Sequence, residues 1–429
     1  MSTPSKHRTK LFAALMAAAL GGAFAPLPAS ADEADMIRRI DALQKEIDSL
    51  RAQMVEAQKK AEAATTEAAK KADAASEAAK KAEAKATPPA TRRGGALAFS
   101  ETSGITIYGK IELIEEATSD GKDMRHALGS NSSRIGFKGV LALTDNLSGV
   151  MQIETGISPD DAANSKQFAN RNSYIGLTDK RYGTFVMGTY DMPAKTLEGF
   201  AQPMYGSGDE LEIIIHGKGT RVAANTAASP WFSIHTRQTN VFQYWSPRFK
   251  NLQAKLAYAA DEQQTITAYT KPVSGASLEY FDGTYQAGIA YEKQKNFAAL
   301  GADMTGLKAT LGARFGDATI GGAYSKLNNH LGKATSNYVL SGTYRLSPVV
   351  LKGSFGKSSA TSSGAQDGLS MNGLQLDYPF DRNTTLFTYW LQIKNDAKAQ
   401  GQFEALDVKY KPLPGNDPHI FGIGLRYDF

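Results

Sequence analysis

Two periodicities divide the chain. From Asp32 to about Ala86, positions recur at alternating spacings of three and four: the apolar Ile40, Leu43, Ile47, Leu50, Met54, Ala57, Ala61, Ala64 and Ala68, and the seam continues through Lys71, Ala75, Ala78 and Ala82. A heptad seam of this length predicts a coiled coil. The stretch is rich in Ala, Glu and Lys and holds no Gly or Pro, so helix propensity points the same way. Its knobs are bulky only in the first half, where self-association is expected to be strongest. "TPPATRRGG" then ends the helix, and 87–103 reads as a linker.

After Gly104 the period changes from seven to two. Ile105, Ile107, Ile111 and Leu113 oppose Thr106, Tyr108, Lys110 and Glu112, and Phe387, Tyr389, Leu391 and Ile393 oppose Thr388, Trp390 and Gln392. Strict alternation predicts strands with two different faces, and sixteen of them fit between 104 and 429. Their connections alternate in length. Short turns such as "TDNL", "DKRY", "SPRF" and "DRN" follow every second strand, and loops of ten residues or more follow the others. A soluble sandwich has no reason to gather its long loops at one end, whereas an outer-membrane barrel does so. The pattern therefore predicts an all-β transmembrane barrel of 16 antiparallel strands over 104–429, preceded by an α-helical coiled-coil stalk over 32–86. A sheet in lipid has to close on itself, so "FGIGLRYDF" and "GITIYGKIEL" are expected to be neighbours.

Composition trims the alternatives. The 429 residues are 42% hydrophobic with a formal charge of +5, which is not the basic footprint of a nucleic-acid binder. Cysteine is absent, which excludes disulfides, thiolate metal sites and a Cys nucleophile. Lys6, His7, Arg8 and Lys10, the apolar run "LFAALMAAALGGAFA" and the small residues Ala29, Ser30 and Ala31 read as a cleaved signal peptide over 1–31; the run is short for a spanning helix. The six histidines fall in the signal or in expected loops without metal-ligand spacing, and none sits mid-strand where a Ser–His pair would need it. The chain is expected to be no enzyme, with no cofactor and no metal.

The strings "TIYGKIEL", "SSRIGFKG", "LSGVMQIETG", "RNSYIGLTDKRYGTFVMGTYDMP", "RQTNVFQYWSPRF" and "GIGLRYDF", in that order over 104–429, resemble the general trimeric porins of Gram-negative outer membranes. The resemblance implies a homotrimer in outer-membrane lipid and a third loop folded into the lumen. It also implies that the terminal Phe429 is read by the outer-membrane assembly machinery. By motif match, the basic wall of the pore constriction falls on Lys110, Arg134, Arg171 and Arg237, and Thr189 stands where the family usually has Arg.

Parity supplies a separate check on the wall. With Ile135, Phe137 and Leu141 facing lipid, Arg134 and Lys138 face inward; with Ile105, Ile107 and Ile111 outside, Lys110 does too. Arg237 passes if Phe242 and Tyr244 face lipid. Arg171 shares the parity of Ile175 and Leu177 and needs a bulge to turn inward. The longest connection, Asp191 to Thr236, carries Glu198, Asp209, Glu210 and Glu212 and is the candidate constriction loop.

The expected function is a water-filled channel for passive diffusion of small hydrophilic solutes and ions, with inward bases outnumbering inward acids and a weak preference for anions. The stalk is expected in the periplasm, against peptidoglycan or a periplasmic protein. The alternatives are an envelope tether or adhesin-like protein whose barrel is an anchor, and a substrate-specific porin.

Overall fold

The computed structural model describes residues 96–100, 103–161, 167–204, 211–217, 233–261, 270–299, 301–403 and 412–429. The signal peptide expected over 1–31, the coiled coil expected over 32–86, the first part of the linker, and Asp209 and Glu210 lie outside the described residues.

The strands in chain order are β1 (Ala96–Ser100), β2 (Ser103–Ser119), β3 (Met124–Ser130), β4 (Arg134–Ala142), β5 (Leu147–Gly156) and β6 (Ser173–Asp179). There follow β7 (Gly183–Asp191), β8 (Arg237–Trp245), β9 (Leu252–Ala259), β10 (Val273–Phe281), β11 (Tyr285–Ala299) and β12 (Ala302–Phe315). The last six are β13 (Ala318–Asn328), β14 (Ala334–Leu346), β15 (Val349–Ser358), β16 (Leu369–Pro379), β17 (Thr384–Asn395) and β18 (His419–Asp428).

All pairings are antiparallel, each strand from β4 onward pairs with the next, and β18 returns to β2. β3 lies along Leu113–Ser119 of β2 and β4 along Gly104–Lys110, so those two strands share one place in the wall. The result is the closed sixteen-position barrel that alternation implies. Its seam is the expected one: Arg426 stands opposite Glu112 and Tyr427 opposite Ile111, and Gly109 and Phe429 exchange backbone hydrogen bonds at 2.9 and 3.1 Å.

Three departures from the sequence reading have local causes. The stretch read as linker contains β1, which pairs with the start of β2. The first long loop is instead a hairpin, because Asp120 accepts hydrogen bonds from the backbone N–H groups of Lys122 and Asp123, both at 2.8 Å, and closes the turn between β2 and β3. That hairpin also puts His126 in a strand, where no histidine was expected. β11 and β12 run on to Ala299 and Ala302, where Asn296 accepts from Gly301 N–H at 2.8 Å and Asp303 accepts from Asn296 N–H at 2.9 Å.

The two faces differ as alternation requires. Leu177, Phe185, Phe242, Leu256, Leu311, Leu340, Leu374, Phe421 and Leu425 are exposed on the outside. Among the described residues no helix is long and apolar enough to cross a membrane.

The best-buried part of the protein is the lumen. After β7 the chain turns inward through α1 (Pro193–Thr196), a 3-10 turn (Gly199–Ala201) and a π-helical turn (Leu211–Ile215). Ala201, Met204, Ile213, Ile214 and Ile215 of this third loop pack with Val339, Met371, Phe387 and Leu391 of the inner wall. Leu197 and Ile234 pack with Ala290, Met304 and Leu327. The loop fits because the wall carries glycine beneath it: a Cβ on Gly288 would come within 2.3 Å of Leu197, and one on Gly321 within 2.2 Å of the Phe200 carbonyl.

Gly321→Leu is therefore expected to displace Phe200 at a cost of about 1–3 kcal/mol while the barrel still closes. Protease nicking of the folded protein in detergent checks this: the third loop of the variant should be cut roughly tenfold faster than that of the outward-facing control Gly322→Ala, whose Cβ has 3.4 Å of room.

Candidate functional site

Inward positions on β18, β2, β4 and β5 gather charged side chains into one band. Lys110 is buried, with its ammonium 3.2 Å from Glu112, and Arg426 bonds Asp428 at 2.7 and 2.9 Å. Arg134 stands 3.6 Å from Glu154. Lys138 lies 4.6 Å above the Tyr108 ring, and Tyr108 donates its hydroxyl to Glu154 at 2.9 Å.

Arg171 does reach the lumen, and no bulge is needed. β6 begins only at Ser173, so Arg171 lies in a bend where parity does not apply. Ala169 just before it adopts a left-handed φ of 62°, and the Arg171 guanidinium donates to Glu154 at 2.5 Å. Arg237 has the opposite history. The register between β7 and β8 shifts at Gly188/Tyr190, and Asn240 has a φ of 54°. Phe242 and Tyr244 are exposed as expected, but the bulge between them and Arg237 removes the force of that check. Its partners place it instead: Asn172 at 2.9 Å and Asp191 at 3.1 Å. Asp191 also takes Lys195 at 2.8 Å. The root of the third loop is thus held by one carboxylate between two cations, close to Thr189, where the family's usual Arg is missing.

The described acids of the third loop, Glu198 and Glu212, face partners in the loop and the wall beneath it. Glu212 bonds His235 at 3.0 Å. Glu198 lies within electrostatic reach of Lys308, Glu212 and Lys195; burial first, and the Glu212 charge after Lys308 has partly offset it, raise its carboxyl above the ordinary range. Lys195 is pushed down by burial against the pull of Asp191.

Several functional-site residues escaped the sequence reading. Asp191, Lys195 and Glu279, which pairs with Lys255 at 2.8 Å, sit where strand meets loop or diagonally across strands. His216 and His235, apart in sequence, meet at 3.0 Å. Tyr174, Tyr190 and Trp245 form an edge-to-face cluster beside the arginines, with centroids 5.2 to 6.1 Å apart. The run "LEIIIHG" in a long loop was the available signal that this loop docks on something. Among the described residues no group of three His, Asp or Glu could hold a metal.

The arrangement is a charged, water-accessible wall narrowed by a packed loop. The profile of a family described as Gram-negative porin matches residues 61–398, beginning inside the stretch read as coiled coil. The major outer membrane protein P.IB of Neisseria gonorrhoeae is 26% identical over 215 residues, 47% of this chain and 52% of that protein. The chain spans about half the length, or less, of the curated relatives it matches. An anion-selective porin from Comamonas acidovorans superposes with a TM-score of 0.65 at 22% identity, over 76% of this chain and 100% of that one. OmpT of Vibrio cholerae in its trimer form does so at 0.56 and 16%, over 77% and 100%. At such identities the likeness is one of fold.

Glu154 is the node of the band, so Glu154→Gln is expected to leave Arg134 and Arg171 facing each other without a carboxylate. The expected loss is about 1–3 kcal/mol of barrel stability, with Tyr108→Phe costing about 0.5–1.5 kcal/mol; the temperature at which the folded gel band disappears reads both.

Proposed function

The chain belongs to the Gram-negative porin family, and from that membership and the wall just described we propose that it is an outer-membrane channel through which small hydrophilic solutes and ions diffuse passively. The observation that carries this is the third loop packed inside a closed barrel whose inner face is charged and whose outer face is apolar. Charged groups on a pore wall set selectivity, and a wall that only anchored a tether would have no need of them.

Lys110, Arg134, Lys138, Arg171 and Arg237 are proposed as the basic side of the constriction, with Glu198, Asp209, Glu210 and Glu212 contributing from the third loop. Two features favour anions. Glu154 faces both Arg134 and Arg171, and Asp191 faces both Lys195 and Arg237, so base exceeds acid in the direct ion pairs of each carboxylate. Further proposals concern assembly. A homotrimer is the natural state for the fold, as in the Vibrio cholerae trimer form. Phe429, whose ring lies over Gly109 at the seam, suits the role of assembly signal. Cleavage after residue 31 would leave the 32–86 helix in the periplasm, where three copies brought together by the barrels form a coiled coil against peptidoglycan or a periplasmic protein.

The purified protein in a planar bilayer across a KCl gradient is expected to show a zero-current potential of weakly anion-selective sign. Removing Lys110 together with Arg134 is expected to reverse it, and neutralising Asp209 and Glu210 to strengthen it. Cation selectivity in the unmodified protein would mean that the loop, not the wall, governs the pore. Retained channels after deletion of 32–86 would assign transport to the barrel; their loss would return the tether reading.

A further inference from the structure

Lys308, His216, His235 and Glu212 join the wall to the third loop through a continuous run of hydrogen bonds. The Lys308 ammonium rises from β12, donates to the Ala194 carbonyl at 3.1 Å and stands 2.7 Å from Nε2 of His216. An ammonium can only donate, so that nitrogen accepts and His216 carries its proton on Nδ1. Nδ1 of His235 lies 3.0 Å away and is left to accept. His235 then carries its proton on Nε2, 3.0 Å from Glu212, whose carboxylate accepts. Every bond points from Lys308 toward Glu212, and with the ammonium charged, only two neutral imidazoles make them all.

An added proton has no good place on either imidazole. On Nε2 of His216 it meets the Lys308 ammonium. On Nδ1 of His235 it meets the Nδ1–H of His216. We infer that the run is an acid-sensitive latch holding the third loop on the wall, so that acid loosens the constriction loop. The inference rests on the reading of the chain as a porin narrowed by that loop.

The surroundings bear on the sign. His216 is fully buried and faces Lys308 from β12, His235 from the end of the loop, Glu212 from the π-helical turn and Lys195 from α1. Glu198 and Asp191 lie beside Lys195 and Lys308, and Glu292 of β11 accepts from Thr236 at 2.9 Å next to His235. Burial first, then Lys308 and His235, hold the His216 imidazole well below its ordinary range, with Glu212 opposing. A base whose pKa is depressed in the docked state stabilises docking fully above its undocked value, about 6.5 for imidazole. That contribution is lost as pH falls from there toward the docked value. The latch sits among apolar anchors: Ile215, whose carbonyl accepts from Ser325 at 2.6 Å, and Ile234, whose N–H donates to the His216 carbonyl at 3.1 Å.

The test is single-channel recording of the full protein between pH 7.5 and 4.5. Brief conductance changes should become more frequent below about pH 6.5, approaching tenfold per pH unit, and His216→Gln and His235→Gln should flatten that dependence. Lys308→Met, which keeps both histidines and guards against a misfolded His216 variant, should move the response toward neutral pH. If all three variants keep the unmodified profile, the latch is wrong and loop carboxylates carry the response.

A second readout does not need conduction. The chain has no cysteine, so Gln202→Cys gives one thiol in the third loop, labelled with a small water-soluble reagent. Its labelling rate divided by that of the same thiol in the His216→Gln background should rise roughly tenfold from pH 8 to pH 5; a constant ratio overturns the latch. Absence of channels at pH 7.5 would instead sink the porin reading, while the labelling ratio still decides the latch.

Discussion

A sheet surrounded by hydrocarbon has no solvent to satisfy its edges, so every other feature of this protein depends on how β2 meets β18. The seam brings Gly109 and Phe429 together by two backbone bonds and then runs in register to Ser119 and His419. Small residues let it close. Gly422 and Gly424 on β18 leave space that Tyr389 and Phe387 fill from β17, and Tyr389 reaches across to Glu116 of β2. A slip of one residue would turn each side chain to the opposite face. It would carry Arg426 and Asp428 into lipid and Phe421 and Leu425 into water, so the seam is specified from both sides at once.

Closure creates a second problem, which the third loop solves. A ring of sixteen strands is too wide for wall side chains to fill, yet a loop placed inside brings its own backbone groups away from bulk water. The wall answers with polar side chains aimed at that backbone. Gln286 accepts from Phe200 N–H at 2.8 Å, Ser341 donates to the Phe200 carbonyl at 3.0 Å, and Gln294 donates to the Ser233 carbonyl at 2.7 Å. Between these polar contacts, glycine on the wall receives apolar side chains of the loop. The inner surface of β10 to β17 is thus shaped for docking, while that of β18 to β8 carries the band of charge.

The strands were legible because lipid on one side and water on the other impose a period of two, which few other environments sustain for so long. Lys110, Arg134 and Lys138 were legible for the same reason: Lys110 and Lys138 lie within strands and Arg134 opens β4, each beside apolar residues that set its phase. Parity carried no weight where strands ended or bulged: at Arg171, which lies in a bend, and at Arg237, which is separated from its reference residues by Asn240. The His216–His235 contact was illegible, since it depends on how two ends of a long loop return to the same part of the wall. Glycines facing inward, such as Gly312 and Gly321, were a readable sign of that docking surface, but only once their phase in the strand was known.

Counting inward charges by parity suggested a basic wall, and the structure changes what such a count means. Lys110 pairs with Glu112, Arg426 with Asp428, Lys255 with Glu279 and Lys352 with Asp377. Partners two residues apart on one strand, or diagonal on adjacent strands, are close enough to act as dipoles, whose fields fade faster with distance than those of single charges. Salt screens the remainder beyond about 8 Å. On the proposed channel reading, the sign felt by an ion in mid-pore would then depend on places where one acid faces two bases, around Glu154 and Asp191. Selectivity would therefore be a matter of local imbalance at two carboxylates more than of net charge.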